Sequence, residues 1–392
     1  MILEHETALY ITTSPPISQP IPELAYTFDN LDFILNQGES ASSLMTISNV
    51  GEEGSIMYFS SGVSPFSVVG GGPDNFGNFW SDSDLDTDIS VDWMDIDGMG
   101  TQYTFPHNDE AGAQIEIGFD FPFLGGTYSQ CIINANGWVG FGSDDNTAWE
   151  NTNIPSSTAP GPAIFGLWDD LNPVNDNCNS YCSGNVYYYG DGEKFVVWFN
   201  EVAHWWTNFE DSYYDFQFVL YKNGQIDLNY NTLTGTHTAT VGIQDAGGSN
   251  GMQVASDQAY LHDGLSLKFS QGPNWVSVTP STGEVNAGSS ELLIVTADAT
   301  GQEEGLYEGY LRLVTSGGNA GLPVSMLVSG SASIPGDING DESVNIQDII
   351  FLINFILDVD EPDTGQFSAA DMNDDGFLNI QDIILIINVI LG

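Results

Sequence analysis

Between residues 29 and 328 the chain is a succession of short runs in which apolar and polar side chains alternate, as at 44–49, 55–60, 114–123, 185–189, 194–199, 215–221, 225–230, 291–296 and 322–328. A period of two puts every second side chain on one face of an extended segment, so these runs predict half-buried strands. Gly, Asn and Asp punctuate them, and Asn223-Gly224 between two such runs is a type I′ hairpin signal. The spacing groups the strands into a linker or tail at 1–28, a small β unit with its lead-in at 29–112, a β-sandwich at 113–271 and a short Ig-like β unit at 272–332. Beyond residue 333 the alternation stops, and two apolar runs at 349–357 and 383–391 read as short helices that pack on each other. The expected fold class is mainly β: multidomain antiparallel sandwiches with a small α-helical domain at 333–392.

That last segment repeats itself at an offset of 34 residues. Asp337, Asn339, Asp341, Ser343, Asn345 and Asp348 in the first copy align with Asp371, Asn373, Asp375, Phe377, Asn379 and Asp382 in the second. Oxygen side chains therefore recur at positions 1, 3, 5, 9 and 12 of a loop, and position 7 (Ser343, Phe377) offers a backbone carbonyl. A hard cation takes about six to eight oxygens, so the pattern predicts two calcium ions, one per loop. The helical core is small, and metal binding is expected to supply part of its folding free energy.

The duplicated loop–helix resembles a type I dockerin, over roughly residues 333–392. The resemblance implies a secreted or cell-surface setting, a cohesin-like partner domain, and partner contacts at loop positions 10 and 11, here Ile346, Gln347, Ile380 and Gln381. Two departures from the general loop stand out: Glu342 occupies position 6 in place of Gly, and position 12 is Asp in place of the longer Glu, as is usual for dockerins; at positions 10 and 11 Ile-Gln replaces the small hydroxyl residues many dockerins carry. The central unit is similar to β modules beside the catalytic domains of large secreted bacterial hydrolases, through 118–123, 136–141, 167–171 and 241–244; the 272–332 unit is similar to Ig-like spacers.

Charge narrows the partners. With 54 acidic and 4 basic residues the net charge is −50, which argues against nucleic acid and anionic membrane surfaces. No run is long enough for a transmembrane helix. Residues 1–16 lack a basic n-region and an apolar core, so a secreted protein would need a start lying upstream of this chain. Cys178 and Cys182, four apart in a polar loop, are candidates for a small disulfide, and Cys131 for a core thiol.

The histidines (His5, His107, His204, His237, His262) lie in no nucleophile context, and no nucleophile-elbow, P-loop or zinc-protease motif occurs. Trp168, Asp169, Asp170, Trp205 and Trp206 form two clusters of the kind that binds sugars, aromatic faces for rings and carboxylates for hydroxyls, with a polysaccharide as the candidate ligand; the alternative for the first cluster is a core Trp168 followed by two turn residues. The expectation is a non-catalytic, calcium-binding docking and display protein of a secreted polysaccharide- or protein-degrading system. The alternatives are a polysaccharide hydrolase working on the sandwich through two carboxylates, and a surface adhesion protein.

Overall fold

The structure, a computed structural model, describes residues 19–392 apart from 108–110, 143–147, 179–180, 206–212, 236–237, 330–333, 342, 358, 363 and 374. In chain order the strands are β1 (Leu24–Phe28), β2 (Asp32–Asn36), β3 (Ser40–Asn49), β4 (Ile56–Ser64), β5 (Asn78–Asp82), β6 (Thr101–Tyr103), β7 (Ile115–Phe123), β8 (Gly126–Asn134), β9 (Trp138–Phe141), β10 (Ala163–Trp168) and β11 (Asn185–Gly190). They continue with β12 (Lys194–Ala203), β13 (Tyr213–Tyr221), β14 (Ile226–Thr234), β15 (Thr240–Gln244), β16 (Gly251–Ala255), β17 (Ser266–Gln271), β18 (Val276–Thr279), β19 (Thr282–Asn286), β20 (Ser290–Asp298), β21 (Gly305–Thr315) and β22 (Gly318–Ser329). Helices α1 (Ile346–Ile356), α2 (Thr364–Ala370) and α3 (Ile380–Leu391) follow. The mainly β class holds.

The central sandwich faces a six-stranded sheet, β16-β15-β10-β9-β8-β7, against a seven-stranded one, β5-β17-β14-β13-β12-β11-β6. Alternation delivers the core: Phe121 and Phe141 from one sheet, and Phe199, Phe216 and Tyr230 from the other, belong to one buried cluster. The Asn223-Gly224 turn closes the β13–β14 hairpin, with Gly224 at φ +92°. The outer face of the seven-stranded sheet is covered by the segment around Met94 and Ile96. Gln217 fixes it, accepting from the Met94 N–H at 3.1 Å and donating to its carbonyl at 2.7 Å.

The expected domain boundaries need correction. The segments read as separate units at 29–112 and 272–332 share two sheets, β1-β3-β20-β18 and β19-β4-β21-β22-β2. β3 pairs with β20 from Ser40↔Asp298 to Ser48↔Ser290, and β2 runs parallel to β22. β5 and β6, placed by the sequence reading in the first unit, belong to the central sandwich. The central sandwich is thus an insertion in the outer one, entered after β4 and left through β17. The cause is burial: Met45 and Ile47 of β3 and Leu293 and Val295 of β20 become fully buried only in one common core.

The tail packs Leu352 and Phe355 of α1, Ala369 and Ala370 of α2 and Ile386 of α3 around Ile338. Three helices build this core where two were expected. Among the described residues no helix is long and apolar enough to cross a membrane.

Candidate calcium and docking site

The two loops are organised by the carboxylate at position 12. Asp348 is 0% exposed; its Oδ1 accepts from the N–H of Ile338 at 2.8 Å and of Asn339 at 3.1 Å, and its Oδ2 from Asn345 at 2.8 Å. Asp382, equally buried, accepts from Met372 at 3.0 Å and Asn379 at 2.9 Å. Position 1 turns the loop: Asp337 Oδ1 accepts from the Asp341 N–H, and Asp371 from those of Asp375 and Gly376. Position 5 tightens it through Ser343 and Phe377, whose N–H groups donate to Asp341 and Asp375. Glu342 lies outside the described residues.

Position 9 does something the spacing had not suggested. Asn345 and Asn379 are helix N-caps, each accepting at 2.8 Å from the residue two ahead, Gln347 or Gln381. With Asp348 and Asp382 at N3 they complete capping boxes, so both helices start three residues earlier than the apolar runs indicated. Their amide Nδ2 groups donate to the position-7 carbonyls of Ser343 and Phe377, at 2.9 and 3.2 Å. The Phe377 side chain itself is exposed. Among the described residues no group of three or more Asp, Glu, His or Cys side chains is gathered as a metal site by itself. The carboxylates alternate with Asn side chains and loop carbonyls, and that all-oxygen donor set is of the kind a hard cation takes. No Lys or Arg follows Arg312, so the charge of the loop carboxylates is balanced by no basic side chain of the tail.

The residues at positions 10 and 11 stand outside the core. Ile346 is 69% exposed and Ile380 68%. Gln347 and Gln381 are exposed too, and each accepts from the position-3 amide of its own loop, Asn339 at 3.4 Å and Asn373 at 3.2 Å. Both helices extend this surface. Ile350, Ile353 and Leu357 of α1, or just beyond it, and Ile384, Ile387 and Leu391 of α3 are exposed. Together with Ile346 and Ile380 they recur at i, i+4, i+7 and i+11, the spacing of one helical face. In the sequence both helices are almost uniformly apolar, and this spacing is the signal that separates the outward stripe from Leu352, Phe355 and Ile386.

The aromatic clusters fare differently. Trp168 is 1% exposed, stacks on Phe165 at 4.7 Å and donates its indole N–H to the Ala148 carbonyl at 3.0 Å. It is a core side chain with no face for a sugar. Asp169 is buried and pairs with His204 at 3.4 Å, so its carboxylate is not free for a sugar hydroxyl either. Burial works against both charges, yet their mutual hydrogen bond and attraction win: the Asp169 pKa is lowered and that of His204 raised. Asp170 and Trp205 are half-buried and meet through the Trp205 N–H and the Asp170 carbonyl at 2.8 Å; Trp206 lies outside the described residues. Cys178 and Cys182 are joined, with Cα atoms 5.7 Å apart, and Cys131 is buried and unbridged.

A family model described as NIDO related matches residues 87–286, just over half of the chain. The chain belongs to the NIDO-related family. Its matched region spans most of the inserted sandwich and runs on into β18 and β19. A second model, the dockerin type I domain, matches residues 335–391, which hold both loops and all three helices. The tail is a type I dockerin, a non-catalytic module of secreted complexes that binds calcium and docks on cohesins. No curated protein matches this NIDO-related chain.

Proposed function

We propose that this NIDO-related protein is a non-catalytic docking and display protein of a secreted assembly, held by its dockerin on a cohesin-type partner. The observation that carries the reading is the duplicated outward stripe, Ile346 to Leu357 and Ile380 to Leu391, with matched exposures of 69% and 68% at its two leading isoleucines. An apolar strip beside polar Gln side chains has the composition of an interface core with a polar rim. Two calcium ions complete the tail, one per loop, held by Asp337, Asn339, Asp341, Asp348 and the Ser343 carbonyl, and by Asp371, Asn373, Asp375, Asp382 and the Phe377 carbonyl. Asn345 and Asn379, committed to capping, act on the ion through the loop backbone and water. When bound, each ion supplies the positive charge that the tail's sequence lacks, and the loop then holds the start of its helix for docking.

Because the stripes are repeated, either can face the partner. Replacing Ile346 and Gln347 alone leaves affinity nearly intact, whereas changing all four of Ile346, Gln347, Ile380 and Gln381 abolishes it. Calorimetry of the full chain against a cohesin domain in calcium, with chelator as control, measures this. Undiminished binding by the fourfold variant would overturn the assignment of the surface.

A further inference from the structure

We propose that the cleft at the neck between the two sandwiches binds a neutral carbohydrate. The chain crosses between sandwiches twice, outward from β4 to β5 and back from β17 to β18, and the crossings are tied where the Gly272 N–H donates to the Gly77 carbonyl at 3.0 Å. Around this neck lies a cavity of about 630 Å³, within the range usual for small-molecule sites.

Its lining sets it apart from the rest of the molecule. In a chain of net charge −50, Asp74 is the one ionisable residue among those lining it. The Asp74 carboxylate is already engaged, accepting from the N–H groups of Phe76 and Asn78, each at 2.8 Å, and from the Asn78 amide. Ser60, Ser277, Ser281 and Thr282 also line the cleft, and their hydroxyls have no hydrogen-bond partner among the described residues. Pro73 and the half-buried ring of Phe76 add apolar wall.

A hydroxyl both donates and accepts, so a row of them matches a ligand whose own groups do both. Sugar hydroxyls meet that requirement, and the C–H faces of a sugar ring suit Pro73 and Phe76. An anionic ligand meets the repulsion of the whole chain and finds no basic side chain in the lining, and the one carboxylate there, Asp74, has its oxygens occupied by the Phe76 and Asn78 N–H groups and the Asn78 amide. This reading is independent of the dockerin and of calcium.

Titration calorimetry of the full chain in calcium, with cellotetraose, xylotetraose, mannotetraose and tetragalacturonate as probes, tests it. At least one neutral tetrasaccharide is expected to bind and the polyanionic one not. Ser277 and Thr282 are exposed, so Ser277→Trp and Thr282→Trp fill the cleft without touching a core. Each variant is expected to melt with the wild type, and loss of affinity by about tenfold or more in either supports the site. Three results overturn it: no neutral probe binds, tetragalacturonate binds as tightly as the neutral probes, or neutral binding is unchanged in both variants.

Discussion

Asp348→Ala removes an acceptor shared by three backbone N–H groups, those of Ile338, Asn339 and Asn345. An orphaned buried donor costs about 1–3 kcal/mol, which gives roughly 3–9 kcal/mol for three. Ile338 is buried, but Asn339 and Asn345 are half-exposed and water can reach them. The expectation therefore sits near the lower end, about 3–5 kcal/mol. The core of so small a domain supplies rarely more than about 3–5 kcal/mol, so the loss matches the available stability even before any calcium contact is counted. All described helices lie in the dockerin, so the helical far-ultraviolet signal of the full chain reports on it alone. In saturating calcium the Asp348→Ala protein should lose that signal while the sandwiches keep their own cooperative melt. Asp348→Asn retains one acceptor oxygen and should fall between. Asp382→Ala removes two such bonds in place of three and should cost less by about one donor, 1–3 kcal/mol. If Asp348→Ala keeps the wild-type helical signal and melts within about 1 kcal/mol of it, the buried carboxylate does not organise the loop.

Chelating calcium should erase the helical signal of the wild type, because each loop gathers aspartates with no basic side chain nearby; equal helicity with and without calcium would refute this. The Asp169–His204 pair sets a pH window. The lowered Asp169 pKa adds stability present above the ordinary 3.8 and lost as pH falls through the folded value; the raised His204 pKa adds stability present below the ordinary 6.5 and lost as pH rises through the folded value. The pair therefore stabilises most between those two ordinary values, and His204→Gln should flatten the fall in sandwich stability above pH 6.5, measured as melts against wild type. His262, raised by the Asp263 carbonyl and then by Asp84, titrates in the same range in both proteins and cancels in the comparison. Arg312 donates to the carbonyls of Phe66, at 2.6 Å, and Ser67, and Arg312→Met should destabilise the outer sandwich by about 2–4 kcal/mol in denaturant titrations.

The parts of this molecule that a sequence shows are those with local causes. The strands of the central sandwich follow from alternation, the hairpin turn from Asn223-Gly224, and the duplicated loop from its own spacing. Helix starts are equally local but hidden, since the spacing of Asn345 and Asp348 fits ion ligands and a capping box alike. What no local pattern carries is partnership between distant segments. β2 and β22 lie some three hundred residues apart, and nothing in their alternation says that they pair. The choice between a sugar-facing and a core Trp168 is open in the sequence for a related reason: its burial is decided by Phe165 and by the carbonyl of Ala148, a neighbour only in the folded chain.

The insertion gives the docking reading its mechanical sense. β22, the last strand of the outer sandwich, pairs with β21 along eleven residues from Gly305↔Val328 to Thr315↔Gly318 and with β2 on its other side, and the chain then runs to the dockerin. A pull on the dockerin is therefore delivered to a strand held on both edges in a closed core, and not to the NIDO-related sandwich. That sandwich hangs from the outer one by two crossings, β4 to β5 and β17 to β18, and Arg312 adds a clamp between β21 and the outward crossing at Phe66 and Ser67. Its strands could not serve as the anchor, because every one of them lies between those crossings and none leads to the tail. On the docking reading the discontinuous sandwich is the frame: it takes the load from the docking module through β22, which leaves its sheet in the same direction as β4, and carries the inserted domain on the two crossings, with the neck cleft at the junction.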